Sequence, residues 1–238
     1  MAKKGKHATG FVQGTLTKKE IIETAYALID EQGVSACSMR GLGDRMKTSA
    51  MAMYNHIPSR DKLLNEVCKR FLEHADTRGL RGERWQDTAA RFVVSLQRLC
   101  IAQPHLAELL LEPCVAEGRE PYMLAQRLVY LDQGMPEEIA VRLCITCDAY
   151  LAGFLLRARQ NRDMEQAEVE PEPFAAASRI PGMLTGWANE EAPLNLNENW
   201  RISTHAGYTE EAFIAGLVAI IDGIAASHPA SNTWRTAE

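Results

Sequence analysis

The sequence predicts an all-α protein: an N-terminal helix-turn-helix head of three helices, carried on a larger helical body. Three observations lead there. Apolar residues recur at helical spacing over most of the chain, and no segment alternates as a half-buried strand would. Ser, Thr and Gly stand where such helices would start and stop. Charge divides along the chain: residues 1–78 hold 13 Lys and Arg against 9 acids, whereas residues 79–238 hold 13 Arg, no Lys and 22 acids. A basic head on an acidic body is what a protein that meets phosphate with one end would carry.

Composition sets the outer bounds. The chain has 238 residues, 46% hydrophobic and 24% charged, enough to bury a real core. No apolar run approaches the roughly 18 residues of a membrane span. The first residues lack the apolar stretch of an export signal. The expectation is therefore a cytoplasmic protein whose six cysteines stay reduced.

The elements follow in order. Residues 1–14 are Gly- and Lys-rich and read as a flexible basic arm. Thr17 and Glu20 form a capping box before Ile21, Ile22, Ala25, Leu28 and Ile29, and Gly33 ends this first helix. Ser38 caps a short second helix with Met39, Leu42 and Met46. After a break at Lys47-Thr48 a third short helix runs from about Ser49 to His56. Pro58 stops it, and Ser59 caps a fourth helix reaching about Ala75. The head thus spans residues 15–76. The body, 77–227, is read as helices over Trp85–Gln103, Leu106–Leu111, Pro121–Gln133, Pro136–Arg162 and Thr209–Ser227. Four prolines interrupt the stretch Asn161–Tyr208. Residues 228–238 read as a polar tail.

Two short helices joined by a tight turn suit DNA, since the second can enter the major groove if its outer face is polar and its inner face anchored. Met53 and Ile57 can anchor it. The stretch Ser38–Leu64 resembles the TetR (tetracycline repressor) family of bacterial regulators. The Gly33 stop, Ser38-Met39-Arg40-Gly41-Leu42, Met53-Tyr54-Asn55-His56-Ile57 and Ser59-Arg60-Asp61-Lys62-Leu63-Leu64 all fall at that family's spacing. The family usually has Gly where this chain has Lys47.

The resemblance implies a DNA-binding regulator. Tyr54, Asn55, His56, Arg60 and Lys62 would face the backbone and groove edge, with Tyr54, His56, Arg60 and Lys62 on phosphates. Arg40, Thr48, Ser49, Ala50 and Met51 would lie at base edges. It also implies a homodimer on a palindromic operator, through a four-helix bundle of Pro136–Arg162 and Thr209–Ser227, with Phe213, Leu217, Ile220, Ile221 and Ile224 at the interface. A small hydrophobic or amphipathic effector would sit in the body, with Leu110, Tyr122, Leu128, Tyr150, Phe154, Met183 and Trp187 as candidate liners. Asn161–Tyr208 is the candidate lid.

No cofactor or metal is expected. Cys144 and Cys147 share a helix face but lack the further ligands of a tetrahedral site. No motif for a nucleophile, phosphate loop or metalloprotease is present. The rival readings are a TetR-like protein controlled by a partner protein or by cysteine oxidation, and an enzyme or redox protein built on the helical body.

Overall fold

The structure is a computed structural model that describes residues 16–166 and 209–235. The predicted arm, most of the proline-interrupted stretch, and Met183 and Trp187 lie outside the described residues.

Among the described residues there is no strand, only an isolated bridge between Arg84 and Arg235. The helices are α1 (Lys18–Gln32), α2 (Met39–Arg45), α3 (Ala50–Tyr54), α4 (Arg60–Leu72), α5 (Trp85–Ala102), α6 (Pro104–Ala107), α7 (Ala116–Asp132), α8 (Glu137–Gln166) and α9 (Glu210–Ser227). Short 3-10 turns join several of them.

The head obeys its local signals. Thr17 Oγ1 accepts from the Glu20 N–H, and the Glu20 carboxylate accepts from the Thr17 N–H at 2.9 Å. Ser38, Ser49 and Ser59 each accept a backbone N–H from the first turn of the helix they open. Gly33 ends α1 at φ 83°, a region that costs most other residues strain. Ile21, Ala25, Ile29, Leu42, Met53, Ile57, Leu63 and Leu64 meet in a fully buried core. Each large apolar side chain so buried stabilises by about 1.5–3 kcal/mol.

The body packs α5, α7, α8 and α9 side by side. By composition α8 could cross a membrane, with a mean hydropathy of 1.7 over its most apolar part, contrary to the run-length expectation. Its Asp148 pairs with Arg119 of α7, and Leu143, Cys144, Cys147 and Leu151 are buried against neighbouring helices. It is a core helix of this body.

Two expectations are corrected. The helix expected from Pro121 begins five residues earlier, at Ala116, so Pro121 lies inside α7. The start was hidden because Ala116–Glu120 has little apolar periodicity. Gly118 is needed there because α4 passes so close that a Cβ would strike the main chain of Asn65. The tail is not loose as far as residue 235. A 3-10 turn over Pro229–Thr233 brings Trp234 against Trp85, ring centroids 6.1 Å apart, and the Trp85 indole N–H donates to the Ser231 carbonyl at 3.0 Å. One aromatic residue in a polar segment carries no periodicity, so this anchor leaves no pattern to read.

Candidate nucleic-acid interface and body cavities

The second and third helices form a tight corner. Thr48 N–H donates to the Gly43 carbonyl at 2.9 Å, and Lys47 takes φ 53°. The Lys that replaces the expected Gly therefore adopts the left-handed conformation itself. The close approach falls on Gly43, where a Cβ would come within 2.9 Å of the Thr48 carbonyl oxygen. Gly43 was not singled out from sequence, because a glycine inside a helical run is ambiguous until its neighbour is known.

The α3 helix hangs from this corner by Met53 and, just beyond it, Ile57, both buried. Its other side is open: Met51 is 72% and Tyr54 45% exposed, and Asn55 and His56 are exposed as well. Arg40, Lys47 and Ser49 are exposed beside them, with Thr48 and Ala50 half-buried. Eight of the ten sequence-predicted residues thus have some surface to offer around this corner, and Lys47 joins them. The Ser49 hydroxyl is engaged as the helix cap with the Ala52 N–H at 3.1 Å.

Arg60 is corrected. Its Nε donates to the Cys37 carbonyl at 2.7 Å and its Nη2 to the Val34 carbonyl at 2.9 Å. The guanidinium ties the start of α4 to the turn before α2, so a structural clamp occupies the donors that were assigned to phosphate. Lys62 is exposed but forms an ion pair with Glu117 of α7. That carboxylate lies where it competes for the ammonium.

Two joints couple the head to the body. Asn65, buried on α4, donates to the Cys114 carbonyl, and its side-chain oxygen accepts from the Gly118 N–H at 2.7 Å. On the other flank the Tyr26 hydroxyl bonds Gln103 at 2.9 Å, and the His105 ring meets the Asp30 carbonyl at 2.9 Å. The first joint connects α4, the helix that follows α3, to α7, and neither Asn65 nor Gly118 carried a sequence signal for it.

The expected effector residues divide. Tyr150 and Phe154 of α8 line an open cavity of about 320 Å³ together with Phe213 of α9. The Tyr150 and Phe213 rings stack at 5.0 Å, and the Tyr150 hydroxyl donates to the Phe213 carbonyl at 3.0 Å. Phe154 also lines a small cavity of about 30 Å³ with Cys100 and Ile101. Tyr122 belongs elsewhere, to a groove between α4 and α7. Leu110 is buried and lines none of these cavities. Leu128 is corrected: it is 55% exposed on α7 and lines none of these cavities.

The interface residues need a similar correction. Phe213, Leu217 and Ile221 are buried within their own chain, at 0%, 0% and 4% exposure, because α9 packs on α5 and α8. Gly216 likewise serves that packing, lying against the Tyr150 hydroxyl. Ile220 and Ile224 are half-buried. The open apolar side of α9 is instead Ile214 and Val218, with Ile145 of α8 59% exposed. Helical spacing alone could not divide a face apolar nearly all round into an inner and an outer half.

Residues 21–67 match the family model described as bacterial regulatory proteins, tetR family. An HTH-type transcriptional regulator of Saccharopolyspora erythraea is 30% identical over 94 residues, 40% of each chain. The HTH-type transcriptional repressor DrrR1 of Streptomyces coeruleorubidus is 24% identical over 160 residues, 65% of this chain and 57% of its own. The match therefore spans roughly half the length of these relatives. In structure, ActR of Streptomyces coelicolor in complex with actinorhodin superposes with a TM-score of 0.65 at 24% identity, over 90% of this chain and 98% of its own. A TetR variant of Acinetobacter baumannii in complex with minocycline gives 0.62 at 18% identity, over 89% and 98%. Residues 21–67 thus match the N-terminal tetR-family model, and the all-helical fold of the described residues is the one these solved neighbours share.

Proposed function

We propose that the protein is a DNA-binding transcriptional regulator: a cytoplasmic homodimer that represses from a palindromic operator and is released by a small apolar or amphipathic effector. The observation that carries the reading is the outer face of α3. A helix of five residues exposes Met51 and Tyr54 while burying Met53, and is capped by Ser49. A short helix held so rigidly, with an apolar group and hydrogen-bonding groups facing out, suits base edges and phosphates in a major groove. The relatives named as transcriptional regulators support this, and neighbours solved with bound small molecules support the effector half.

Arg40, Thr48, Ser49, Ala50 and Met51 are assigned to base edges, and Lys47, Tyr54 and His56 to phosphates. Asn55 completes the rim, and Lys62 joins once Glu117 releases it. The test is duplex selection from a random library, followed by affinity against salt. Lys47→Ala should weaken every duplex about equally and lower the salt slope by about 1. Met51→Ala or Arg40→Ala should change which duplexes are preferred. Arg60→Ala should lower stability more than slope. Selection that recovers no preferred duplex, with no salt dependence at any concentration, would overturn the reading.

A further inference from the structure

Three consecutive residues in the first turn of α7 each hold a different group. The Glu117 carboxylate pairs with the Lys62 ammonium of α4. The Gly118 N–H donates to the Asn65 side-chain oxygen of α4 at 2.7 Å. The Arg119 guanidinium pairs with Asp148 of α8 and donates to the Leu110 carbonyl at 3.3 Å. The middle contact has no slack, since a Cβ on Gly118 would strike the main chain of Asn65. Glu117 therefore rides on a turn pinned to α4 on one side and to α8 on the other. Lys62 is the cation that this carboxylate meets, and the start of α4 has few others. Its first residues are Arg60, Asp61 and Lys62. The Arg60 donors are engaged by the Cys37 and Val34 carbonyls, and Asp61 adds a negative charge. Of the three, Lys62 is left with an ammonium to offer, and it faces a carboxylate of the acidic body.

We infer that Glu117 is a positioning residue for DNA binding: it holds the Lys62 ammonium on the body and keeps it from the phosphate backbone. The inference deepens the DNA-binding half of the proposed function and rests on it. A carboxylate oxygen and a phosphate oxygen are the same kind of acceptor for an ammonium, so the two compete. While Glu117 holds Lys62, a phosphate arriving there finds its counter-charge already neutralised and a like charge beside it. The Lys62 side chain is 51% exposed and that of Glu117 68%, so the pair is weak and easily exchanged for a stronger partner. The α7 turn thus sets how many phosphates the head can neutralise, without touching DNA itself.

The test is a double-mutant cycle in the full chain, with affinity for one selected duplex measured from low to high salt. Glu117→Gln should tighten binding by about two- to fivefold for each head engaged, the range an exposed ion pair spans. It should also steepen the salt dependence by about 1 per head, since one more phosphate contact releases its counterion. Lys62→Gln should weaken binding. In the Lys62→Gln background, Glu117→Gln should change affinity by less than about twofold and leave the slope alone, only the screened field of one distant charge remaining. Glu120→Gln removes an equal charge from the same exposed turn and should likewise leave the slope alone. The melting temperature of Glu117→Gln should move by less than about 3 °C. If Glu117→Gln tightens binding as much in the Lys62→Gln background as alone, or if Glu120→Gln matches it, the general field of the acidic body is responsible and the assignment falls. Unchanged affinity and slope in Glu117→Gln overturn it too, as does a larger fall in melting temperature, which would make Glu117 part of the fold. If the unmutated protein and all variants bind no duplex at any salt, the regulator reading itself fails.

Discussion

Burial pushes the thiols of Cys68, Cys100 and Cys147 up to about 12 and that of Cys144 up to about 11; the loss of water around a thiolate outweighs the pull of Arg119 near Cys68 and of Arg127 near Cys144. Reactivity belongs to the thiolate, so such groups are inert. At pH 8 a thiol of pKa about 12 is ionised on the order of once in ten thousand. The native protein should therefore give at most one fast-reacting thiol with a disulfide reagent at pH 8, that of half-buried Cys114, and all six after unfolding. Two or more fast thiols in the native state would revive control by oxidation through Cys144 and Cys147. At this scale the sequence was legible where a side chain acts on its own helix, as Thr17, Ser38, Ser49 and Ser59 do by capping. It was not legible where the partner is remote in the chain. Arg60 stands where a phosphate clamp belongs, yet its guanidinium is taken by carbonyls 23 and 26 residues earlier.

Helix boundaries in the head were readable because each has a local cause, a Ser or Thr before it or a Gly after it. The corner between α2 and α3 was readable as a break but not in its mechanism. Lys47 accepts a left-handed backbone, with its long side chain free in solvent, and the close approach is made by Gly43. Gly43→Ala should therefore be the more damaging of the two changes. Its Cβ meets a carbonyl oxygen, so the turn must open and α3 must move with it. A loss of about 1–3 kcal/mol in chemical denaturation is expected, with a larger drop in duplex affinity than Lys47→Gly produces. Lys47→Gly removes strain but gives the unfolded chain more freedom, and its stability should shift by less than about 1 kcal/mol. Equal stability of Gly43→Ala and the unmutated protein would mean that the turn is softer than its 2.9 Å approach implies. In the body the same logic fails at α7, since Pro121 looks like a start and the true first turn has no apolar stripe. Only the passage of α4 over Gly118 explains why that turn is there.

At the scale of the whole molecule α4 links the helical corner of the head to α7, and that link rests on contacts distant in sequence. Asn65 grips Cys114 and Gly118, and Lys62 meets Glu117, so any movement of α7 against α4 is felt by the head. An effector can exploit this only by binding one arrangement better than another. The charge contrast between the two ends of the chain was legible, because charge is summed over the chain without knowing the fold. The division of α9 into an inner and an outer face was not, and assembly depends on it. Leu217 is fully buried in its own chain, whereas Val218, the next residue, is 44% exposed. Leu217→Glu would bury an unpaired charge in the core, which costs several kcal/mol, and should leave a chain that melts early or fails to fold. Val218→Glu places its charge in water as long as the chain is single and in an apolar contact only when two chains meet. It should keep the helical signal and most of the melting temperature measured for the isolated chain, run as one chain in light scattering at micromolar concentration, and lose operator binding, which needs two heads on successive grooves. If Val218→Glu and Ile145→Glu both remain dimeric, the assembly does not use this face. If Leu217→Glu instead gives a well-folded monomer, Leu217 belongs to the interface and the inward packing of α9 on α5 and α8 is wrong.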